Sequence, residues 1–442
     1  MRAPPRLYAL ATAAALALAG TALAPTATAT AVSANATAAS DPPATTTAVT
    51  DPAATGTAAT GTAATHPAAT DLAATDLAAT DLAATDLAAT DLAATAPAVT
   101  DPAAAAPPRL RASGNRLVDE KGATRRLLGV NRSGGEFMCV QGRGIFDGPV
   151  DDASVQAIAD WKAGAVRIPL NEECWLGLSH VNPAYAGANY IAAVTSFVAR
   201  LEAHGITPVI ELHWTHGRYT GGDSHCPGTE YATCQKPMPD AQYTPAFWTS
   251  VAQTFKNDQA VVFDLFNEPF PDRATSDLTA AWRCWRDGGS CPGIDFQVAG
   301  MRTLLNAVRA TGARNLVLIP GVAYSNDLRQ WLTYQPNDPA GNLAAAWHSY
   351  NFNSCSSESC FDQQLAPVIA QVPLVAGEIG ENTCSHGYID RVMAWLDAKG
   401  ASYLGWTWNT WDCSSGPSLI SDDNGTPTNF GVGLRDHLKG MQ

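Results

Sequence analysis

Beyond residue 125 the chain repeats one alternation: a short apolar run, then a longer stretch in which apolar residues recur every three or four positions. The short runs are rich in Val, Ile, Leu and aromatics and are bounded by Gly, Pro or polar clusters, which predicts buried strands. They fall at 126–131, 165–170, 208–214, 261–268, 315–321, 343–350, 373–380 and 402–408. Helical spacing occupies 154–161, where Val155, Ile158 and Trp161 share a face, and then 190–204, 245–257, 296–310, 360–371 and 388–399, with a short closing helix at 434–438. Gly205 and Gly400 stand where C-terminal caps belong, and Pro245 sits in the first turn of its helix. Residues 117–122 predict a small hairpin turn ahead of the first strand. Strands and helices in strict alternation over roughly 330 residues predict an α/β fold, a (β/α)8 TIM barrel. An open doubly wound sheet is disfavoured, because no Gly-x-Gly-x-x-Gly turn follows an early strand.

Ahead of the barrel the pattern is different. Residues 1–36 read as a secretory signal: Arg2 and Arg6 form a basic start, 7–23 is Ala/Leu-rich, and small-x-small sites follow at 22–24, 29–31 and 34–36, with the cut unplaced. Residues 37–108 are almost wholly Ala, Thr, Pro and Asp, with five Thr-Asp-Leu-Ala-Ala pentads from Thr70 to Ala94. A five-residue period matches neither helix nor strand and offers too few large apolar residues for a core, so this segment reads as a disordered linker. That leaves 109–442 as one catalytic-sized domain. No later apolar run is long enough to cross a bilayer, so the expected product is secreted, extracellular and free of the membrane once the signal is cleaved, with the linker as a route to wall association.

Composition narrows the partners. Formal net charge is −14 with only 27 Lys and Arg and no basic run, which argues against nucleic acid and anionic membranes and suits a neutral substrate. All ten cysteines lie in 109–442; an even count in an exported chain implies disulfides. The near pairs Cys226/Cys234, Cys284/Cys291 and Cys355/Cys360 suit loop clips, leaving Cys139, Cys174, Cys384 and Cys413 to pair otherwise, and spacing alone does not fix the connectivity. No Cys-x-x-Cys pair supports a zinc cluster. Many of the twelve tryptophans fall near predicted strand ends, where they serve either the core or sugar-stacking platforms.

The chemistry gathers at strand ends. Glu268 closes the fourth strand in Asn267-Glu268-Pro269, and Glu378 closes the seventh, so both should project at the same rim. Taken alone, either glutamate is an ordinary strand-end residue. Two carboxylates across a cleft are what glycosidic cleavage needs, one protonated and one ionised. Arg167, His213, His348 and Tyr350 end neighbouring strands: Arg167 is placed to hold Glu378 ionised, and Tyr350 to donate to it. Asn267 is placed to grip a sugar hydroxyl and Trp408 to face a ring. His213 and His216 would point to opposite faces of a strand, which disfavours a metal site there.

In Arg167-Ile168-Pro169, Asn267-Glu268-Pro269, His348-Ser349-Tyr350, Gly377-Glu378 and Gly405-Trp406-Thr407-Trp408-Asn409, at successive strand ends, the chain resembles glycoside hydrolase family 5, the cellulase family of clan A. The resemblance covers 117–438 and implies retaining double displacement. Glu268 would be the acid/base and Glu378 the nucleophile, with Arg167, His213, Asn267, His348, Tyr350 and Trp408 binding substrate. Glu211 stands where the family commonly has aspartate, and Ile379 where it commonly has phenylalanine. The expectation is a monomeric endo-β-1,4-glucanase without metal or cofactor, acting on a polysaccharide or oligosaccharide. A β-mannanase, an exo-acting β-glucosidase and, in another class, a non-catalytic sugar-binding wall protein are the alternatives.

Overall fold

The computed structural model describes residues 105–222, 228–413 and 416–441. Strands β1 (Arg111–Ser113), β2 (Arg116–Val118) and β3 (Thr124–Arg125) form a small antiparallel sheet. Eight parallel strands then close into a barrel: β4 (Leu128–Asn131), β5 (Ala165–Asn171), β6 (Thr207–Trp214) and β7 (Val262–Asp264) come first. After a two-stranded hairpin of β8 (Gly288–Ser290) and β9 (Gln297–Ala299) follow β10 (Val317–Pro320), β11 (Leu343–Tyr350), β12 (Leu374–Gly380) and β13 (Ser402–Gly405), with β13 pairing back onto β4. The TIM barrel predicted from the alternation is therefore the fold.

Period-two alternation divides each strand between two apolar layers. Ala165, Val209, Val262, Leu318, Ala344, Ala346, Val375 and Leu404 point into the barrel, where Leu110, Leu117 and Leu127 close its lower end. Val166, Ile210, Phe263, Val317, Ala345 and Ala376 point outward into the helical layer. The first strand threads close to its neighbour at Gly129, where an added Cβ would lie 1.8 Å from the Ala165 carbonyl oxygen. Helices begin and end where local chemistry provides caps. The Asp151 side chain accepts from the Ser154 amide at the start of Asp152–Asp160, and Gly400, at φ 66°, ends Gly387–Lys399.

Several boundaries differ from the pattern. Helical spacing from 296 does not hold at its start: Gln297–Ala299 is the strand β9, and the helix is Met301–Ala310. The preceding loop contains its own helix, Leu278–Asp287, whose outer face carries arginines that interrupt an apolar reading. The stretch 360–371 splits into Glu358–Gln364 and Ala366–Ile369, because Pro367 cannot donate to the ladder. Disulfides join Cys284–Cys291 and Cys355–Cys360, and also Cys139–Cys174 and Cys384–Cys413. The last two tie segments that follow adjacent strands, stiffening the C-terminal rim. Cys226 lies outside the described residues, and with it the pairing expected for Cys234. Among the described residues no helix is long and apolar enough to cross a membrane.

Candidate active site

The upper barrel is polar because inward positions that are Ala, Val or Leu lower down become Asn131, Arg167, Glu211 and Asp264 one pleat higher. Arg167 is fully buried and spends its guanidinium across the barrel. Nε donates to Asp264 Oδ2 at 2.9 Å, and Nη1 to Glu378 Oε1 at 2.8 Å and to Asn131 Oδ1 at 3.0 Å. Nη2 donates to Asn267 Oδ1 at 3.0 Å, and Glu211 Oε2 lies 3.6 Å from Nη1. A planar guanidinium meets these fixed directions as an ammonium would not.

Glu378 points into the barrel because of a bulge. Val375 faces in and Ala376 faces out, so strict alternation would turn Glu378 outward. The ladder instead pairs Trp347 with Ala376 but His348 with Glu378, leaving Gly377 as an extra residue. That position suits glycine: an added Cβ would sit 3.1 Å from His348 Nε2. The Asn131 side-chain amide donates to the Gly377 carbonyl at 2.9 Å and so secures the bulge.

Glu268 lies four positions past the end of β7, in a run that no longer follows a regular ladder. Its chain stays held to both neighbours: the Leu265 amide donates to Leu318 O at 3.1 Å and the Asn267 amide to Leu212 O at 2.9 Å. Glu268 Oε1 is hydrogen-bonded to His348 Nδ1 at 3.0 Å, and the same nitrogen lies 3.6 Å from Glu378 Oε2. The facing atoms of Glu268, His348 and Glu378 all lie within 4.8 Å of one another. The Tyr350 hydroxyl donates to Glu378 Oε2 at 2.5 Å, so each oxygen of Glu378 has a donor.

The two carboxyls have unequal surroundings. Burial, followed by the Glu378 charge, holds Glu268 well above the ordinary carboxyl range. Burial raises Glu378 too, but Arg167 and the Tyr350 hydroxyl oppose it. The proton of the pair therefore belongs on Glu268. Burial pushes Glu211 up to about 8 and Asp264 to about 7, each against the attraction of Arg167. Burial thus works against the charge on both, which leaves Glu378 a stronger claim on Arg167. Burial lowers His213 to about 4, so its ring is neutral. Nδ1 meets Glu211 Oε2 at 3.0 Å and Nε2 meets the Asn267 amide at 3.2 Å, which assigns the ring proton to Nδ1.

Of the residues expected at the site, Arg167, His213, Asn267, Glu268, His348, Tyr350 and Glu378 come together. Asn267 is committed to protein partners, since its amide also donates to Gln235 Oε1 at 2.9 Å. Trp408 does not join them. It is 2% exposed and packs edge-to-face on Trp161 at 4.8 Å, in the helical layer. The regular strand ends at Gly405, so alternation no longer governs residue 408, and the aromatic facing the site is Trp406, stacked on His213 at 5.5 Å and 18°. His216 is likewise elsewhere, bonded through Nδ1 to Glu173 at 2.7 Å. Pattern reading passed over Asn131 and Asp264, although both have the inward parity of Leu127 and Val262. Further aromatics stand on the rim: Trp411, 43% exposed, lies 5.7 Å from Phe137, and Phe352, 62% exposed, stacks on Tyr350 at 5.2 Å. Glu268, His348 and Glu378 are also spaced as cation ligands, but Glu268 is hydrogen-bonded to His348, and the Glu378 oxygens to Arg167 and Tyr350. Cys384 and Cys413 beside Asp412 are spent in a disulfide.

A closed parallel barrel with two facing carboxyls at its C-terminal mouth is the framework of a glycoside hydrolase. The sequence profile of the cellulase family, glycosyl hydrolase family 5, matches residues 119–412, and the chain belongs to that family. A manganese dependent endoglucanase of Phanerodontia chrysosporium is 26% identical over 210 residues, 46% of this chain and 46% of that protein. The match thus spans under half of that relative's length. An endoglucanase of Paenibacillus polymyxa is 22% identical over 348 residues, 70% of this chain and 82% of that protein. Among solved structures, a β-glucanase of Saccharophagus degradans aligns with a TM-score of 0.58 at 18% identity, covering 76% of this chain and 94% of that one. At that identity the likeness is one of fold.

Proposed function

We propose that the protein is an exported, monomeric endo-β-1,4-glucanase that hydrolyses its substrate with retention of anomeric configuration. The observation that carries this reading is the carboxyl pair: two glutamates with facing atoms within 4.8 Å, one favoured protonated and one gripped by Arg167 and Tyr350. Inverting enzymes separate their carboxyls by about 6.5–9.5 Å to admit a water, whereas retaining ones stand about 5–5.5 Å apart. Glu378 attacks the anomeric carbon while Glu268 gives its proton to the departing glycosidic oxygen, leaving a glycosyl ester on Glu378. That ester removes the charge that had raised Glu268, so the acid/base becomes more acidic at the stage where it must be a carboxylate. Glu268 then takes a proton from water, the water oxygen attacks the anomeric carbon, and Glu378 leaves.

The sugar choice rests on similarity to two endoglucanases and on the aromatic-rimmed mouth. The Saccharophagus β-glucanase has also been solved with cellotetraose, with a TM-score of 0.57 to this chain. The four disulfides among the described residues and the Ala/Leu-rich leader support export. Early-time proton NMR of cello-oligosaccharide hydrolysis is the test, run beside mannan, xylan and mixed-linkage glucan. β-Anomers should appear first, and Glu378→Gln should abolish release. α-Anomers appearing first, or release from mannan but not glucan, would overturn the mechanism or the substrate respectively.

A further inference from the structure

Between β10 and β11 lies a feature that the reaction scheme does not use. Ala323, Tyr324 and Ser325 have φ of 55°, 58° and 60°, three successive non-glycine residues in the left-handed region. L-residues visit that region singly and at a cost, so such a turn persists only where its surroundings enforce it. Its hydrogen bonds converge on the acid/base segment. The Ser325 hydroxyl donates to the Asn267 carbonyl at 2.6 Å, and the Tyr324 amide donates to the Pro269 carbonyl at 3.0 Å. The peptide that precedes Glu268 and the one that follows Pro269 are thereby tied to one turn. That turn also holds His348, whose amide donates to Ser325 O at 3.1 Å and whose carbonyl accepts from Asn326 Nδ2 at 2.9 Å. Among the described residues His348 is the hydrogen-bond partner of the Glu268 carboxyl. The Ala323 amide is in turn anchored by Asp272 Oδ1 at 2.9 Å, and the Tyr324 ring stacks on Phe270 at 4.5 Å.

Regular β7 pairing ends at Asp264, and beyond it the barrel holds the chain only through the Leu265 and Asn267 amides, so neighbouring strands leave the Glu268 carbonyl side to the turn. We infer that Ser325 is a positioning residue, whose hydroxyl fixes the Asn267-Glu268-Pro269 backbone so that the Glu268 carboxyl stands at the leaving-group oxygen. Serine suits the position because it is fully buried, and a β-branched residue at this φ would add strain. The inference rests on Glu268 being the proton donor.

Leaving-group dependence separates positioning of an acid from general damage, since a 2,4-dinitrophenolate departs without protonation and a sugar alkoxide does not. Ser325→Gly removes the hydroxyl while relaxing the left-handed backbone, and Ser325→Ala removes it without that relaxation. Both variants should lose on the order of tenfold or more in kcat/KM on cellotetraose, within the range that acid catalysis supplies. On 2,4-dinitrophenyl β-cellobioside the loss should stay near twofold, with glycine leaving the melting temperature unlowered. Equal losses on both substrates, no loss, or a loss confined to the glycine variant would overturn the role of the hydroxyl. Glu268→Ala, measured alongside, must show the same leaving-group contrast more strongly. Its absence there would instead bring down the assignment of Glu268.

Discussion

Tyr350→Phe tests how the barrel keeps Glu378, the proposed nucleophile, ionised. The hydroxyl donates to Glu378 Oε2 at 2.5 Å, while the ring stacks on Phe352 at 5.2 Å, so the substitution deletes one oxygen and leaves the packing in place. A hydrogen bond to a charged group contributes about 1.5–3 kcal/mol. At about 1.36 kcal/mol per pK unit, losing it raises the apparent pKa of the ionised partner by about 1–2 units. The sign follows from the hydroxyl favouring the carboxylate: without it Glu378 holds its proton to higher pH. The proposed mechanism needs Glu378 ionised, so the acid limb of kcat/KM should move up by about 1–2 pH units. Rates on the acid side should fall about 10- to 100-fold, with a smaller loss at higher pH. The limb belongs to the coupled pair rather than to Glu378 alone. The assay is kcat/KM on cellotetraose across the acid limb for both proteins. An unmoved limb with the same fractional loss at every pH would mean that Tyr350 acts on the sugar and not on the charge of Glu378.

The two tryptophans just past the last strand should part company. Trp408→Ala empties a packed site against Trp161 and should cost about 3–5 kcal/mol of stability, read as a large drop in melting temperature. Trp406→Ala should leave melting nearly unchanged and lower kcat/KM by roughly tenfold through lost contact with sugar; the reverse pattern would show the assignment to be wrong. Stability should fall as pH rises. Glu211, at about 8, and Asp264 and Glu136, at about 7, have folded values raised by burial above their ordinary value near 4. The folded state therefore binds more protons than the unfolded one between about pH 4 and 8, and that advantage is lost as pH climbs through the folded values. Melting several degrees lower at pH 8 than at pH 5 is expected, and a rise over that interval would refute it.

The barrel was legible because a strand buried on both faces is a short apolar run whatever its neighbours are. The helices between such runs carry their own period and caps. Glu268 and Glu378 could be picked out on the same ground, as carboxyls ending apolar runs at one rim. Details that depend on register were not legible. Glu378 faces the barrel only because Gly377 is an extra residue against β11, and a one-residue slip leaves no mark in hydrophobic pattern. Trp408 shares the parity of Leu404 and Trp406, but the ladder stops at Gly405 and parity stops with it.

By itself, then, the sequence determined which segments are buried, how they alternate, and which acids stand at their ends, since those properties belong to single segments. The tertiary structure decided what those acids are. Arg167 meets Asp264, 97 positions away, and Glu378, 211 positions away, through bonds that exist only when eight strands close. The same closure takes the carboxyls out of water and places one beside the other, so that one keeps a proton the other gives up. That asymmetry comes from desolvation and the distance between charges, and both are properties of the assembled barrel.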